Sequence, residues 1–438
     1  MCARNVTGDA GFMTAHTIMP ARPAPWDWLR DNSAWLLMAA TLALFATETL
    51  FNGPFWIMSV TGLYQACRSR GAVFAQPQVR HLAVLFLCLW LPQLAALPDA
   101  ANPVHSLENT FAYPHYFFAG VYVLASLRDP AILRRLEVAV FWIVTAWVLD
   151  AMLQYASGAN LFGYPYRPGQ LTGMFDPKIR LGHVLAVLLP VYFEIVRRHA
   201  RGRAWLWLLP LLLCAVIFLS GKRVAWVMAA VAVAGYALHL LHVRLLSLRV
   251  VLLLAVIAGV AGAGLLATNP SLARRATAVL GLFSGEAAQM DQATSHRLPL
   301  WETAVNIASD HWINGVGTRG YRYVFRDYAG DDNFYLRDGR EGQTHPHQLV
   351  LEVAAETGAI GIAGLLAFWW ILLARSWRSL RLYPVHAPWL LSGVVAWLPL
   401  NAHLAFYGSY WSSVSWWVLL PLLAAPLAET RAQPCPAS

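Results

Sequence analysis

Charged side chains are scarce in this sequence, and acidic ones are the scarcer kind. Only 13% of the 438 residues are charged, with 23 Asp and Glu against 32 Lys and Arg, whereas 58% are hydrophobic. So little charge excludes an ordinary water-soluble domain of this size. The sequence therefore predicts an integral membrane protein with a net charge of +9.

Cysteine is also rare, with five residues and no CxxC pair. The absence of paired cysteines removes the usual thiolate site for zinc. The long polar segment 268–346 has no cysteine, so we expect no disulfide bond there. Basic residues form no aromatic-interleaved run of the kind that binds nucleic acid, and we expect no nucleic-acid partner.

Long apolar runs are abundant. Crossing a hydrocarbon core takes about 20 helical residues, and about twelve runs approach that length. They predict an all-α integral membrane protein with one long extracytoplasmic loop. The predicted spans are about 33–50, 53–67, 81–97, 111–127, 136–156, 181–197, 204–220, 223–242, 249–267, 347–374, 387–404 and 411–428.

These spans divide the chain into five predicted parts. Residues 1–32 and 429–438 are cytoplasmic tails, and 33–267 holds the first nine spans. Residues 268–346 form a periplasmic loop with catalytic elements, and 347–428 holds the last three spans.

The basic residues predict the orientation, because short cytoplasmic loops collect Lys and Arg. One set of alternate loops holds fifteen of the 32 basic residues, which places this face and both termini in the cytoplasm. The opposite face then carries the 268–346 loop. The fifteen are Arg68, Arg70, Arg80, Arg128, Arg134, Arg135, Arg197, Arg198, Arg201, Arg203, Arg244, Arg249, Arg375, Arg378 and Arg381.

The loop has recognisable parts. Residues 295–311 place apolar side chains at helical spacing, which predicts an amphipathic helix that lies on the membrane or caps the bundle. A glycine-rich turn follows at 315–321. In the next span, Gly358, Gly361 and Gly364 recur every three residues and predict close helix packing.

His345 and His347 stand where the loop re-enters the membrane. A histidine there is often only an interfacial residue. Imidazole also titrates near neutral pH and is the usual general base for a hydroxyl. A zinc site made from these two histidines is a further alternative, but it lacks an obvious third ligand.

Several cations lie on the face where the orientation rule disfavours them, namely Lys178 with Arg180, Lys222 with Arg223, and the eight arginines of the loop. For Lys222 and Arg223 the plain alternative is snorkelling to the interface. Arg180 and Arg297 could likewise contact headgroups, and that reading fits the Arg274–Arg275 pair best. An anionic ligand is the functional alternative, since guanidinium groups bind phosphate in bidentate fashion.

Residues 220–223, 297–301, 313–321 and 347–358 resemble the O-antigen ligase and polymerase superfamily in order, spacing and loop position. The motif likeness covers about 215–365. The resemblance implies a glycosyltransferase that uses an undecaprenyl-pyrophosphate-linked glycan as donor, outside the cytoplasmic membrane, without nucleotide sugar, cofactor or metal.

The resemblance also implies roles for single residues. His347 matches the catalytic histidine, Arg223 and Arg297 match arginines that bind the donor pyrophosphate, and Arg180 matches less closely. Gln348 departs from the family's usual asparagine but keeps the amide. Possible supporting residues are His345, Lys222, Arg319 and Gln348.

Within the superfamily, the expected function is that of an O-antigen ligase in the bacterial inner membrane, with its active site on the periplasmic face. The acceptor would be lipid A–core oligosaccharide, and membrane lipids surround the protein. No extra domain follows residue 428, which favours the ligase. An O-antigen polymerase or a protein O-oligosaccharyltransferase would share the site. A transporter of lipid-linked sugar should carry charge at mid-membrane, whereas Glu48, Asp150 and Glu352 lie towards helix ends.

Overall fold

A computed structural model of the chain describes residues 25–330, 333–382, 386–399 and 404–424. This part contains α-helices, short 3-10 turns and two isolated bridges, with no named strand, so the all-helical prediction is confirmed. The helices are α1 (Pro25–Leu44), α2 (Asn52–Arg68), α3 (Pro77–Ala95), α4 (Pro103–Ala112), α5 (Pro114–Leu127), α6 (Pro130–Ser157), α7 (Leu181–His199), α8 (Leu208–Leu219), α9 (Arg223–His242), α10 (Leu248–Thr268), α11 (Pro270–Thr277), α12 (Ala287–Thr294), α13 (Leu298–Asp310), α14 (Tyr321–Tyr328), α15 (Leu349–Leu382), α16 (Ala387–Ala396) and α17 (Ser409–Leu423).

Among the described residues, five helices are long and apolar enough to cross a membrane: α3, α6, α9, α10 and the 349–374 part of α15. Each of the other predicted spans contains a helix in its described part, but several of these helices are short; α8 has 12 residues and α17 has 15. Twelve spans and a periplasmic position for the loop therefore stay predictions.

Two predicted boundaries differ from the structure. The first helix begins at Pro25, so residues 25–32 of the predicted tail are helical; residues 1–24 and 429–438 lie outside the described part. The predicted span 111–127 starts at Pro114, after the separate helix α4, because proline lacks the amide donor that a helix interior needs.

The main core lies around α7, whose residues from Leu181 to Val196 are almost all buried. By contrast, α10 has no buried residue, as expected of a helix in contact with lipid. A second, smaller core belongs to the loop. Its buried members are Leu300, Ala304, Ile307, Val316, Tyr321, Phe325 and Ala355.

This small core shows that the amphipathic helix of the loop, α13, caps the bundle by packing on α15. Leu300, Ala304 and Ile307 are the buried apolar residues of this helix, whereas Leu298 is only partly buried. Positions 300, 304 and 307 share one helical face, which explains why these three side chains are buried together.

Helix α15 is broken at Gly358, where φ is 61° and ψ is −156°. The glycine-rich turn docks at this break: the amides of Ala359 and Ile360 donate to the carbonyls of Trp312 (2.8 Å) and Ile313 (3.1 Å). Gly364 is the member of the glycine series that packs against another helix, since a Cβ there would lie 2.1 Å from the carbonyl oxygen of Cys88 in α3. Gly358 instead forms the break at which the turn docks.

Candidate active site

A cleft of about 280 Å³ opens where the α8–α9 hairpin meets three parts of the loop region: α11, the start of α13 and the segment before α15. It brings together side chains that lie far apart in the sequence. The described residues that line it are His183, Gly221, Lys222, Arg223, Val224, Arg275, Ser295, Arg297, Tyr335 and His347.

The hairpin at the base of the cleft is very tight. Helix α8 ends at Leu219 and α9 begins at Arg223, and Gly221 between them has a φ of 67°. A Cβ on Gly221 would lie 1.9 Å from the carbonyl oxygen of Gly169, so only glycine fits. This turn places Lys222 and Arg223 side by side at the cleft.

Arg223 reaches across to the loop rather than into solvent. Its guanidinium donates hydrogen bonds to the carbonyl of Ala293 and to the hydroxyl of Ser295, with a longer bond of 3.4 Å to the carbonyl of Gln292. These contacts hold α12 over the hairpin. They also fix the orientation of the guanidinium, which simple snorkelling would leave free.

Arg297 occupies the position just before α13 and is partly buried. Burial lowers its pKa to about 10, against the opposing effect of Tyr335. Burial, followed by repulsion from Arg275 and Arg297, lowers the pKa of Lys222 to about 8. Both groups therefore lose part of their solvation and gain no compensating anion.

The cleft is strongly positive. Lys222, Arg223, Arg275 and Arg297 form no ion pair with a carboxylate among the described residues, and no Asp or Glu is among the described residues that line the cleft. Partly buried charges are ordinarily paired. An anionic ligand would supply the missing charge, and phosphate suits the guanidinium fork.

His347 lines the same cleft and has a φ of 55°, in the left-handed region. The ring of His345 lies against it, with 4.0 Å between ring centroids, and the hydroxyl of Thr344 is 2.9 Å from Nδ1 of His345. The next residue, Gln348, starts α15: its side-chain oxygen accepts from the amide of Leu351 at 2.6 Å. The Gln348 side chain therefore caps the N-terminus of α15.

The other candidate residues lie elsewhere. Arg180 stacks over the ring of Tyr410 at 3.8 Å and is not among the cleft-lining residues. The backbone amide of Arg319 donates to Oε2 of the buried Glu356 at 2.6 Å, which fixes the glycine-rich turn to α15. The structure thus groups His347, Lys222, Arg223 and Arg297, with His345 in contact with His347, and separates Arg180, Arg319 and Gln348 from them.

Sequence reasoning missed four lining residues. His183 is buried in α7, and Ser295 and Tyr335 are ordinary loop residues without a motif. Arg275 was interpreted with Arg274 as a headgroup contact. No local sequence signal separates Arg275 from Arg274, because the two are neighbours on the same short helix.

Residues 208–366 match a family model described as O-antigen ligase. The matched segment runs from the start of α8 into α15 and includes all four clustered candidates. This segment, about a third of the chain, is therefore similar to the O-antigen ligase superfamily. Members of this superfamily are glycosyltransferase-like enzymes that act on lipid-linked glycans, and the spanning helices around the domain belong to a multi-pass membrane protein. A search of curated proteins finds no match to the chain.

Proposed function

We propose that the protein is an O-antigen ligase of the bacterial inner membrane. It would transfer undecaprenyl-pyrophosphate-linked polysaccharide to a sugar hydroxyl of lipid A–core oligosaccharide on the periplasmic face. The observation that carries the proposal is the cleft, where four cations with no carboxylate partner among the described residues lie beside His347. Its position within the O-antigen ligase domain supports the choice of donor.

In the proposed reaction, His347 accepts the proton of the acceptor hydroxyl as its oxygen attacks the anomeric carbon of the donor. The new carbon–oxygen bond forms as the bond to the pyrophosphate breaks, and the electron pair stays on the phosphate oxygen. Attack from the opposite side inverts the anomeric configuration. The carrier itself is activated, so no nucleotide is consumed.

Arg223 and Arg297 hold the pyrophosphate and stabilise the charge that grows on it as it leaves, with Lys222 beside them. Fixed donors aimed at a developing charge are among the strongest contributions to catalysis. In this proposal, the cations take the role that a divalent metal has in other transferases. His345 supports the His347 ring. The stacked position of Arg180 suits support of the α7 terminus better than direct contact with phosphate.

The lipopolysaccharide ladder of a deletion strain tests the proposal. We expect loss of long chains with accumulation of carrier-linked polymer, restored by the wild-type gene but not by one encoding His347→Ala. Accumulation of carrier-linked single repeats would instead identify an O-antigen polymerase. An unchanged ladder with an unglycosylated periplasmic protein would identify a protein O-oligosaccharyltransferase, and donor retained on the cytoplasmic side would identify a transporter.

A further inference from the structure

Arg274 and Arg275 are neighbours on α11, but their surroundings differ. Arg274 is exposed, whereas Arg275 is half-buried and lines the cleft. The sequence gives no reason to separate the two. The fold does, because α11 turns one of them towards the α8–α9 hairpin and the other to the outside.

Arg275 is tied to that hairpin by one hydrogen bond. Its Nη1 donates to the carbonyl oxygen of Gly221 at 2.7 Å. A guanidinium has five N–H donors, and among the described residues Arg275 uses one of them, in the bond to Gly221. Its charge has no carboxylate partner within 4 Å in that part of the chain. The remaining donors and the charge are thus available to a ligand in the cleft.

We propose that Arg275 is a further anion-binding residue of this cleft, which contacts the donor pyrophosphate and holds the hairpin that carries Lys222 and Arg223. The inference rests on the proposed function, because the anion is taken to be the pyrophosphate of the lipid-linked donor. It extends the binding site to a third part of the chain, beyond the hairpin and the start of α13.

The position of Arg275 has a measurable electrical consequence. Burial, and then the charges of Arg275 on α11 and Arg297 before α13, lower the pKa of Lys222 to about 8. The other titratable or charged residues that line the cleft are His183, Arg223, Tyr335 and His347. Lys222 is therefore protonated below about pH 8 and loses its charge as the pH rises through that value. Removal of the Arg275 charge should move this titration to higher pH.

The test uses purified full-length protein in lipid nanodiscs and compares wild type with Arg275→Gln. Glutamine keeps a polar amide but has no charge. Arg274→Gln is the matched control, since it removes the same charge from the same helix outside the cleft. Binding of inorganic pyrophosphate is measured by calorimetry at pH 7 in metal-free buffer. The KM for the lipid-pyrophosphate donor is then measured from pH 6.5 to 9.5.

We expect Arg275→Gln to weaken pyrophosphate binding about tenfold to a hundredfold, the usual worth of a charged hydrogen bond. The pH at which donor KM rises should also increase, while Arg274→Gln matches wild type in both measurements. A purely structural residue would not move the titration. Wild-type affinity or an unshifted titration in a folded Arg275→Gln protein would overturn the inference.

Two further readings keep the result decisive. If Arg275→Gln does not fold, Arg275→Lys replaces it in the test, because lysine retains the charge. Weaker pyrophosphate binding with an unshifted pH dependence of donor KM would support the inference. Pyrophosphate binding equal to wild type would overturn it. If wild type itself binds no pyrophosphate, the donor site of the proposed function fails. If wild type and Arg274→Gln bind it and Arg275→Gln binds equally well, only the assignment of Arg275 fails.

Discussion

His347 has a backbone conformation that few residues with a side chain adopt. A φ of 55° costs of order 1–3 kcal/mol and persists only where the surrounding structure enforces it, and such strain is concentrated at functional sites. Here the enforcement is visible. Helix α15 starts two residues later, capped by Gln348, and the turn this creates directs the imidazole to the cations of the cleft.

Replacement of this histidine tests its role as general base. Positioned bases typically contribute about 10²–10⁴-fold to rate, so His347→Ala should lose transfer activity by that factor. Wild-type activity should also fall towards acidic pH, because a protonated imidazole ring cannot accept a proton. The measurement is in vitro transfer from the lipid-linked donor.

His345→Ala is the comparison variant, because its ring touches His347 without lining the cleft. It should be the milder change. Equal abundance of both variants in the membrane controls for folding. A His347→Ala protein that transfers glycan at the wild-type rate would rule out the general-base role.

Arg223 raises a different question, because the same guanidinium holds the loop and faces the cleft. Arg223→Lys keeps the charge but loses the planar pair of donors, and we expect a loss of roughly 1.5–3 kcal/mol in transition-state binding. Ser295→Ala removes the one side-chain contact among the three that Arg223 makes with the loop, and it leaves the guanidinium in place. If the kinetic loss, seen in kcat/KM, is as large in Ser295→Ala as in Arg223→Lys, Arg223 acts by holding the loop and not by binding phosphate.

At the scale of elements, the break in α15 determines where the loop docks on the helix bundle. Gly358 has a φ and ψ that only glycine adopts readily, and a Cβ there would lie 2.4 Å from the backbone of Ile313. Gly358→Ala should therefore destabilise the docked loop by more than the roughly 1–3 kcal/mol of backbone strain. A lower melting temperature in detergent and faster proteolysis of the loop would be the readouts.

Gly259→Ala provides the control for that change. Gly259 lies inside α10 with open space around it, and alanine favours helix, so this variant should melt at or slightly above the wild-type temperature. An unchanged melting temperature and unchanged proteolysis in Gly358→Ala would mean that the turn does not depend on the break.

The sequence predicts helices well here because apolar runs and prolines are local signals. Pro114 marks the division between α4 and α5, although the apolar run 111–127 across it suggests one span. The break at Gly358 was not predictable, since its cause is the distant turn at 312–316. For the same reason, motifs pointed to His347, Arg223 and Arg297, whereas Arg275 and Tyr335 become neighbours of the site only through tertiary packing.

At the scale of the whole molecule, the arginines at one end of α7 and the cations of the cleft at its other end have opposite surroundings. At one end Arg197 and Arg198 pair closely with Glu194 (2.7 Å) and Glu137 (2.9 Å). At the other end His183 lines the cleft, where the cations lack carboxylate partners in the described structure. The 19 residues of α7 span about 28 Å, close to the thickness of a hydrocarbon core. We therefore expect the cleft and the paired arginines to lie at opposite faces of the membrane.

That arrangement leads to a test of topology on which the proposed mechanism depends. Ser284 is exposed in the loop beside α12, and Arg201 is exposed just beyond the paired arginines. In a cysteine-free background, Ser284→Cys should react with a membrane-impermeant thiol reagent once the outer membrane is permeabilised, and Arg201→Cys only after the inner membrane is lysed. Both sites are solvent-facing, so a difference in labelling reports the side of the membrane rather than burial. The proposed mechanism requires the enzyme to take its undecaprenyl-linked donor from the periplasm, so labelling of Ser284→Cys only after lysis would rule out the mechanism together with the orientation.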